Sequence, residues 1–127
     1  MKINKSVDIE EEIRTALSEY QTVYCRPLPA EYGLPNILVT QVGGTDSQTI
    51  DTFEVVLDSR AELEADALDY LNTAVALLKQ IAKEQTSAIR YVTVNSSGSW
   101  GADPVRPDLC MCSARLSVTA HQQKMEV

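Results

Sequence analysis

The sequence is poor in the residues that most catalytic and metal centres use. Its one histidine, His121, is close to the C-terminus, where an exposed side chain without a role is the simplest interpretation. A Ser-His-Asp or Cys-His arrangement would have to use it, which argues against both. Cys110 and Cys112 lie about 7 Å apart along one predicted strand face, which is typical of small core residues rather than of a zinc site. The sequence therefore predicts no catalytic residues, no metal and no cofactor.

Disulfides, positive charge and long apolar runs are also scarce. Three cysteines, including Cys25, and no apolar leader of secretory length do not indicate a disulfide framework. Lys and Arg number 11 against 18 Asp and Glu, giving a formal net charge of −7. This balance argues against a general nucleic-acid binder and against binding to anionic membranes. No apolar stretch reaches the roughly 20 residues of a membrane-spanning helix. We expect a soluble, reduced, cytoplasmic protein with a single domain over 1–127.

Two segments have helical periodicity. The first covers about 7–22, where Ser6 or Asp8 can cap the start. The second covers about 60–83, and the spacing of Ser59 and Glu62 predicts a capping box at its start. The apolar stripe of this second helix consists of Leu63, Ala67, Leu71, Ala74, Leu78 and Ile81.

Strands are predicted over 36–42, 52–57, 87–94 and 109–120, with a short one possible at 23–25. Cys110, Cys112, Ala114, Leu116, Val118 and Ala120 alternate with polar residues, so this face of the last strand should be buried. Turn-forming residues predict loops at 43–51 and 95–108, and the tail after Ala120 should be frayed. The sequence thus predicts an α+β fold, an antiparallel or mixed sheet of four to five strands with two helices on one face.

The order of motifs along the chain carries a family resemblance. An amphipathic helix precedes Arg26-Pro27-Leu28-Pro29, and then comes Leu34-Pro35-Asn36-Ile37-Leu38-Val39 ending in Gly43-Gly44-Thr45. Glu54-Val55-Val56-Leu57-Asp58 runs into a long alanine-rich helix. A loop with Gly, Trp and Asp-Pro and an alternating final strand complete the chain. This order, over nearly the whole sequence, resembles the tail terminator and head–tail joining proteins of long-tailed bacteriophages.

The resemblance implies a structural protein of a phage or prophage tail, without catalytic residues. Such proteins form a ring, commonly of six subunits, that caps the finished tail tube and halts its polymerisation. The implied partners are further copies of the chain, the tail tube protein and the head connector or neck protein, with DNA only as passing cargo. The implied location is the tail or neck of the virion, after assembly in the host cytoplasm.

The two predicted loops are the natural candidates for ring or tube contacts under this resemblance. Within them the candidate interface residues are Gly43, Gly44, Thr45, Asp46, Trp100 and Asp103. Trp100, the only tryptophan, has two interpretations: a lid packed on the core, or an anchor for a partner.

Other functions remain open at this stage. A neck or head-closure component of similar fold belongs to the same class. A small enzyme using carboxylates such as Glu62 or Asp103, and a module that binds a small ligand or peptide on the sheet, belong to different classes. Oligomer mass separates the ring protein from these last two.

Overall fold

The computed structural model describes residues 1–127 and contains two helices and seven strands. The helices are α1 (Ile9–Leu17) and α2 (Glu64–Glu84). The strands are β1 (Lys2–Lys5), β2 (Val23–Cys25), β3 (Asn36–Thr45), β4 (Ile50–Ala61), β5 (Ile89–Ala102), β6 (Cys110–His121) and β7 (Gln123–Glu126). Neither helix is long and apolar enough to cross a membrane.

Five strands form one mixed sheet in the order β2-β3-β4-β6-β5. The short β2 runs parallel to β3, and the other neighbours in this sheet are antiparallel. β1 and β7 form a separate two-stranded antiparallel sheet. The predicted α+β class, with a sheet of four to five strands, is confirmed, and so is the short strand at 23–25.

The core lies between the five-stranded sheet and the helices. Val55 of β4 pairs with Leu116 of β6, and Phe53 pairs with Val118, so alternate residues of the two strands form continuous buried rows. Ala67, Leu71, Ala74, Leu78 and Ile81 of α2, together with Ile9, Ile13 and Leu17 of α1, belong to the same buried cluster. The alternation predicted for the last strand is confirmed from Cys112 to Ala120, whereas Cys110 is only half-buried.

Helix α1 is shorter than the predicted 7–22. The Asp8 carboxylate accepts a hydrogen bond from the backbone N–H of Glu11 and caps the start. The helix ends at Leu17, whose carbonyl accepts from the N–H groups of Tyr20 and Gln21 in a closing turn. Gln21 then donates to the carbonyl of Tyr70 in α2. This tertiary contact turns the chain toward β2 and outweighs the helical periodicity.

The predicted start of α2 at residue 60, with Ser59 as its cap, is wrong. β4 continues to Ala61, and Ser59 is fully buried opposite Cys112 of β6. Leu63 precedes the helix and makes no side-chain capping bond, and it is 63% exposed rather than part of the buried stripe. Pairing of β4 with strands on both sides outweighs the local capping pattern, because each added pair satisfies backbone groups that would otherwise be buried without partners.

The two predicted loops are largely strand. Residues 43–45 continue β3, with a bulge between Gln41 and Gly43. Residues 95–102 continue β5, whose pairing with β6 shifts register three times. Such bulges insert unpaired residues and increase the local twist. The bulges allow residues 95–102, a Ser- and Gly-rich segment with the composition of a loop, to stay paired with β6 as far as Cys110.

The chain termini are paired rather than frayed. Lys2 lies opposite Glu126, and the N-terminal ammonium contacts the Glu126 carboxylate at 2.9 Å. Asn4 donates to the carbonyl of Gln48, which ties the small sheet to the β3–β4 connection. The tail gave no signal of this pairing because all four residues of β1 and all four of β7 are exposed, so neither strand has a buried face.

Candidate assembly surface

The first group of candidate residues lies at one end of the sheet. Gly43, Gly44 and Thr45 pair with consecutive residues of β4, and Asp46 begins the short connection that follows. Gly44 has φ +148°, and a Cβ atom there would meet the carbonyl oxygen of Thr52 at 2.5 Å. The glycine is therefore required by the close approach of two strands, which is a structural requirement distinct from any role in binding.

Trp100 lies in β5 opposite Cys112, on the side of the sheet that the helices cover. Its side chain is 48% exposed, while Cys112 is completely buried. Trp100 does not belong to the buried core cluster, so the structure favours an exposed side chain over a lid packed on the core, and the role of a partner anchor stays a prediction.

The structure does not bring the two candidate groups together. Thr45 pairs with Thr52, whereas Trp100 lies in the same row as Ser59 of β4. The strand rise puts these two rows about 23 Å apart. The two groups could therefore contribute to separate contacts but not to one patch.

Asp103 is buried and forms an ion pair with Arg60. One carboxylate oxygen accepts from Nε of Arg60 at 2.5 Å, and the two side chains are 3% and 7% exposed. The other oxygen accepts from the backbone N–H groups of Val105 and Arg106. Burial by itself raises the pKa of Asp103, but these hydrogen bonds from Arg106, Arg60 and Val105 together hold it below its ordinary value. The carboxylate stays ionised and fixes the connection after β5 on the sheet, and its oxygens are already occupied by donors.

Glu62, the other carboxylate considered for an enzyme, is exposed. Glu62 lines an open cleft of about 440 Å³ at the start of α2, together with Asp66 and Asp69. No group of three or more His, Cys, Asp or Glu side chains is arranged to hold a metal ion.

The open edge of β5 is the main surface feature that the sequence analysis missed. β5 has 14 residues and pairs only with β6, so its other edge has no protein partner. Tyr91, opposite Thr119 on the face away from the helices, is 66% exposed. β5 thus carries both Tyr91 and Trp100, one aromatic residue near each end. Regular alternation would put Tyr91 on the same face as the buried Ile89, and the register shift between these two residues turns it outward, so its exposure could not be read from the sequence pattern.

A basic groove lies between β5 and the last turns of α2. Lys79, Lys83 and Arg90 contribute its cations, and Tyr91, Val92 and Val94 contribute apolar surface, around a volume of about 600 Å³. None of the three cations forms an ion pair. Arg90 donates to the backbone carbonyls of Ser87 and Ile89, which holds its guanidinium beside the strand. We call this set of residues the basic groove.

An acidic groove lies on the other side of the same end of α2. It runs between α1 and α2, is lined by Glu12, Glu19 and Glu84, and has a volume of about 250 Å³. These three carboxylates form no ion pair, in contrast to Glu10 and Glu11, which pair with Arg26 and Arg14. We call this set the acidic groove.

Comparison with protein-family models finds no match for this chain, and comparison with curated proteins finds none either.

Proposed function

We propose that this chain is a structural assembly protein of a phage or prophage tail, of the tail terminator type. Copies of the chain associate head to tail into a ring of six subunits that caps the tube and presents a surface to the head connector. The proposal starts from the resemblance in the order of sequence motifs. The surface features of the folded chain support it.

The observation that carries the proposal is the open edge of β5. An unpaired strand of this length offers a row of backbone donors and acceptors to another chain, and monomeric proteins usually protect such edges. Here the edge is accompanied by two exposed aromatic residues, Tyr91 and Trp100, of the type that is enriched at interface anchors. An association surface accounts for both features together.

The two edges of the sheet are also unlike each other. At the far edge from β5, the three-residue β2 covers only part of β3, and α1 packs over this side of the sheet. A contact between β5 of one copy and the α1 side of the next is heterologous. Contacts of this kind close into rings when the rotation between copies allows it, whereas two identical edges would favour a two-fold dimer.

The net charge of −7 suits a ring through which DNA passes. Like charge on the channel wall would discourage adhesion of the phosphate backbone. Many proteins without this role are acidic as well, so the charge agrees with the proposal and adds little weight to it.

The test is analytical ultracentrifugation of the purified protein, followed by electron microscopy after mixing with tail tubes. We expect rings, alone or on tube ends, for the unmodified chain. Tyr91→Glu and Trp100→Glu should leave the circular dichroism spectrum unchanged and abolish ring formation or capping. Leu63→Glu is the matched control, because Leu63 is similarly exposed at 63% but precedes α2 and is not part of β5.

An unmodified chain that stays monomeric, both alone and with tail tubes, would refute the proposal. Normal capping by both β5 variants would leave a terminator function intact but remove β5 from its contact surface. Binding to head connectors without binding to tail tubes would instead indicate the neck or head-closure alternative.

A further inference from the structure

The basic and acidic grooves are opposite in charge and lie on two sides of a single helix, α2. Each contains three side chains of one sign without an ion-pair partner in the chain. The last turns of α2 form a wall of both, with Lys79 and Lys83 toward β5 and Glu84 toward α1. Every subunit therefore presents one groove of each sign on opposite sides of α2.

Local structure accounts for only part of the basic groove. Lys83 in the last turn of α2 suits the negative end of the helix dipole. Lys79, however, is four residues before Lys83 on the same helix face, a spacing at which like charges repel. Arg90 adds a third cation from β5. The three cations form a local concentration of positive charge in a chain of net charge −7, and an anionic partner would offset their mutual repulsion.

We infer that, in the ring of the proposed function, the basic groove of each subunit binds the acidic groove of the next copy of this chain. The inference rests on the proposed function and names the contact that closes its ring. A head-to-tail step puts the β5 side of one subunit against the α1 side of its neighbour, which are the sides on which the two grooves lie. In a closed ring every groove of either sign then has a partner, and Tyr91, on the edge of the basic groove, lies at the same contact.

A second copy fits the basic groove better than a nucleic acid does. Three cations would neutralise only about three phosphates, which gives weak and shallow salt-dependent binding. The acidic groove, in contrast, offers three carboxylates in a concave surface. Its lining also includes Tyr20, whose aromatic ring is exposed. Charge complementarity of this kind sets orientation and partner choice.

The experiment uses two charge-reversal variants of the full chain. Variant A carries Lys79→Glu and Lys83→Glu, which gives it two acidic grooves and moves the net charge from −7 to −11, because each change replaces a positive with a negative charge. Variant B carries Glu12→Lys and Glu19→Lys, which gives it two basic grooves and moves the net charge from −7 to −3. A control variant with Lys5→Glu and Lys124→Glu also has net charge −11 but changes only the exposed small sheet.

Sedimentation is measured for each protein and for an equimolar mixture of A and B, at low and high NaCl. We expect A alone and B alone to associate at least about tenfold more weakly than the unmodified chain, since opposite charges at the contact become like charges. The mixture should recover rings of alternating A and B, because each contact then joins opposite signs. The control variant should associate as the unmodified chain does, and high salt should weaken association of the unmodified chain.

Three outcomes overturn the inference. Normal association of A or B alone would show that the grooves are not the contact, while leaving the ring itself in place. Equal weakening of A and of the control variant would assign the effect to net charge. Normal association of A combined with loss of binding to a short double-stranded DNA probe would make the basic groove a nucleic-acid site. Failure of the unmodified chain to associate refutes the proposed function instead, which separates the two failures.

Discussion

Removal of the Asp103 carboxylate should destabilise the fold more than any change to a surface charge. Asp103→Ala leaves the Arg60 guanidinium buried, with Nε without its 2.5 Å partner and Nη1 already lacking a hydrogen-bond partner. Removing one member of a buried ion pair costs about 3–5 kcal/mol, because an uncompensated charge remains. The fully buried geometry puts the expected loss in the free energy of unfolding within this range.

A second substitution identifies the source of that loss. Arg60→Met in the Asp103→Ala background removes the stranded charge and keeps much of the side-chain volume, so it should restore at least about half of the lost stability. The control is Asp108→Ala, which breaks the exposed pair between Arg106 and Asp108 and should cost below about 1 kcal/mol. Urea denaturation followed by circular dichroism measures all four proteins.

The pH dependence gives an independent check. The pKa of Asp103 is lowered in the folded protein from its ordinary value of 3.8, so its contribution to stability is complete above that value. It is lost as the pH falls from about 3.8 through the lowered folded pKa, so the difference between wild type and Asp103→Ala should be constant above this window and shrink within it. A loss for Asp103→Ala of less than about 1 kcal/mol at neutral pH, or a difference that is independent of pH down to strong acid, would show that Arg60 does not depend on this partner.

Three further predictions concern the core and the strand pairing. Gly44→Ala should destabilise the protein by about 1–3 kcal/mol because it places a Cβ against the neighbouring strand. Gly43→Ala, whose Cβ would make only an ordinary contact with the Cβ of Glu54 at 3.9 Å, should change stability by less than about 1 kcal/mol; equal effects in urea denaturation would contradict the close approach. Leu71→Ala should cost about 2–5 kcal/mol as a fully buried residue, and Leu68→Ala, at 37% exposure, clearly less; the reverse order would mean a rotated helix. Cys112 should react slowly with a thiol reagent until the protein unfolds, since burial raises its pKa and covers it; fast labelling of the native protein would refute its burial.

Periodic burial was the part of the fold that the sequence could predict. The alternation in β6 and the stripe on α2 each reflect one buried face, and a face of that kind leaves its period in the sequence. The α+β class followed from these two elements and their order. Asp8, one of the two caps considered for α1 with Ser6, is the observed cap; it was within reach of the sequence because the cap depends only on residues three positions apart.

Element ends were predicted poorly wherever a strand partner from elsewhere in the chain extends them. Ser59 has the local features of a helix cap, yet β6 on one side and β3 on the other keep the chain extended to Ala61. Residues 95–102 have the composition of a loop, yet β6 offers them a partner and bulges accommodate the misfit. These outcomes depend on long-range pairing, which no local window of the sequence contains.

The candidate site was predicted by composition, and the grooves show why this was insufficient. Glycines and a lone tryptophan mark places where the backbone or a large side chain is unusual, and Gly44 and Trp100 are indeed unusual in this structure. A groove, however, combines residues from separate elements: Lys79 and Lys83 belong to α2 and Arg90 to β5. In the sequence these three cations fall within residues 79–90, with Glu84 between them, but no local pattern shows that a helix and a strand bring them into one groove.

The same geometry explains why a strongly acidic chain can still offer a directional contact. Net charge describes repulsion between two copies at a distance, and at −7 each this repulsion falls off within about 8–10 Å at physiological salt. At contact, only the facing groups matter, and the two sides of α2 present opposite signs. Approach of like sides is then opposed by charge at short range, while approach of unlike sides is favoured. Under the proposed function, a chain arranged in this way would resist random aggregation and would associate in the single head-to-tail orientation that a ring requires.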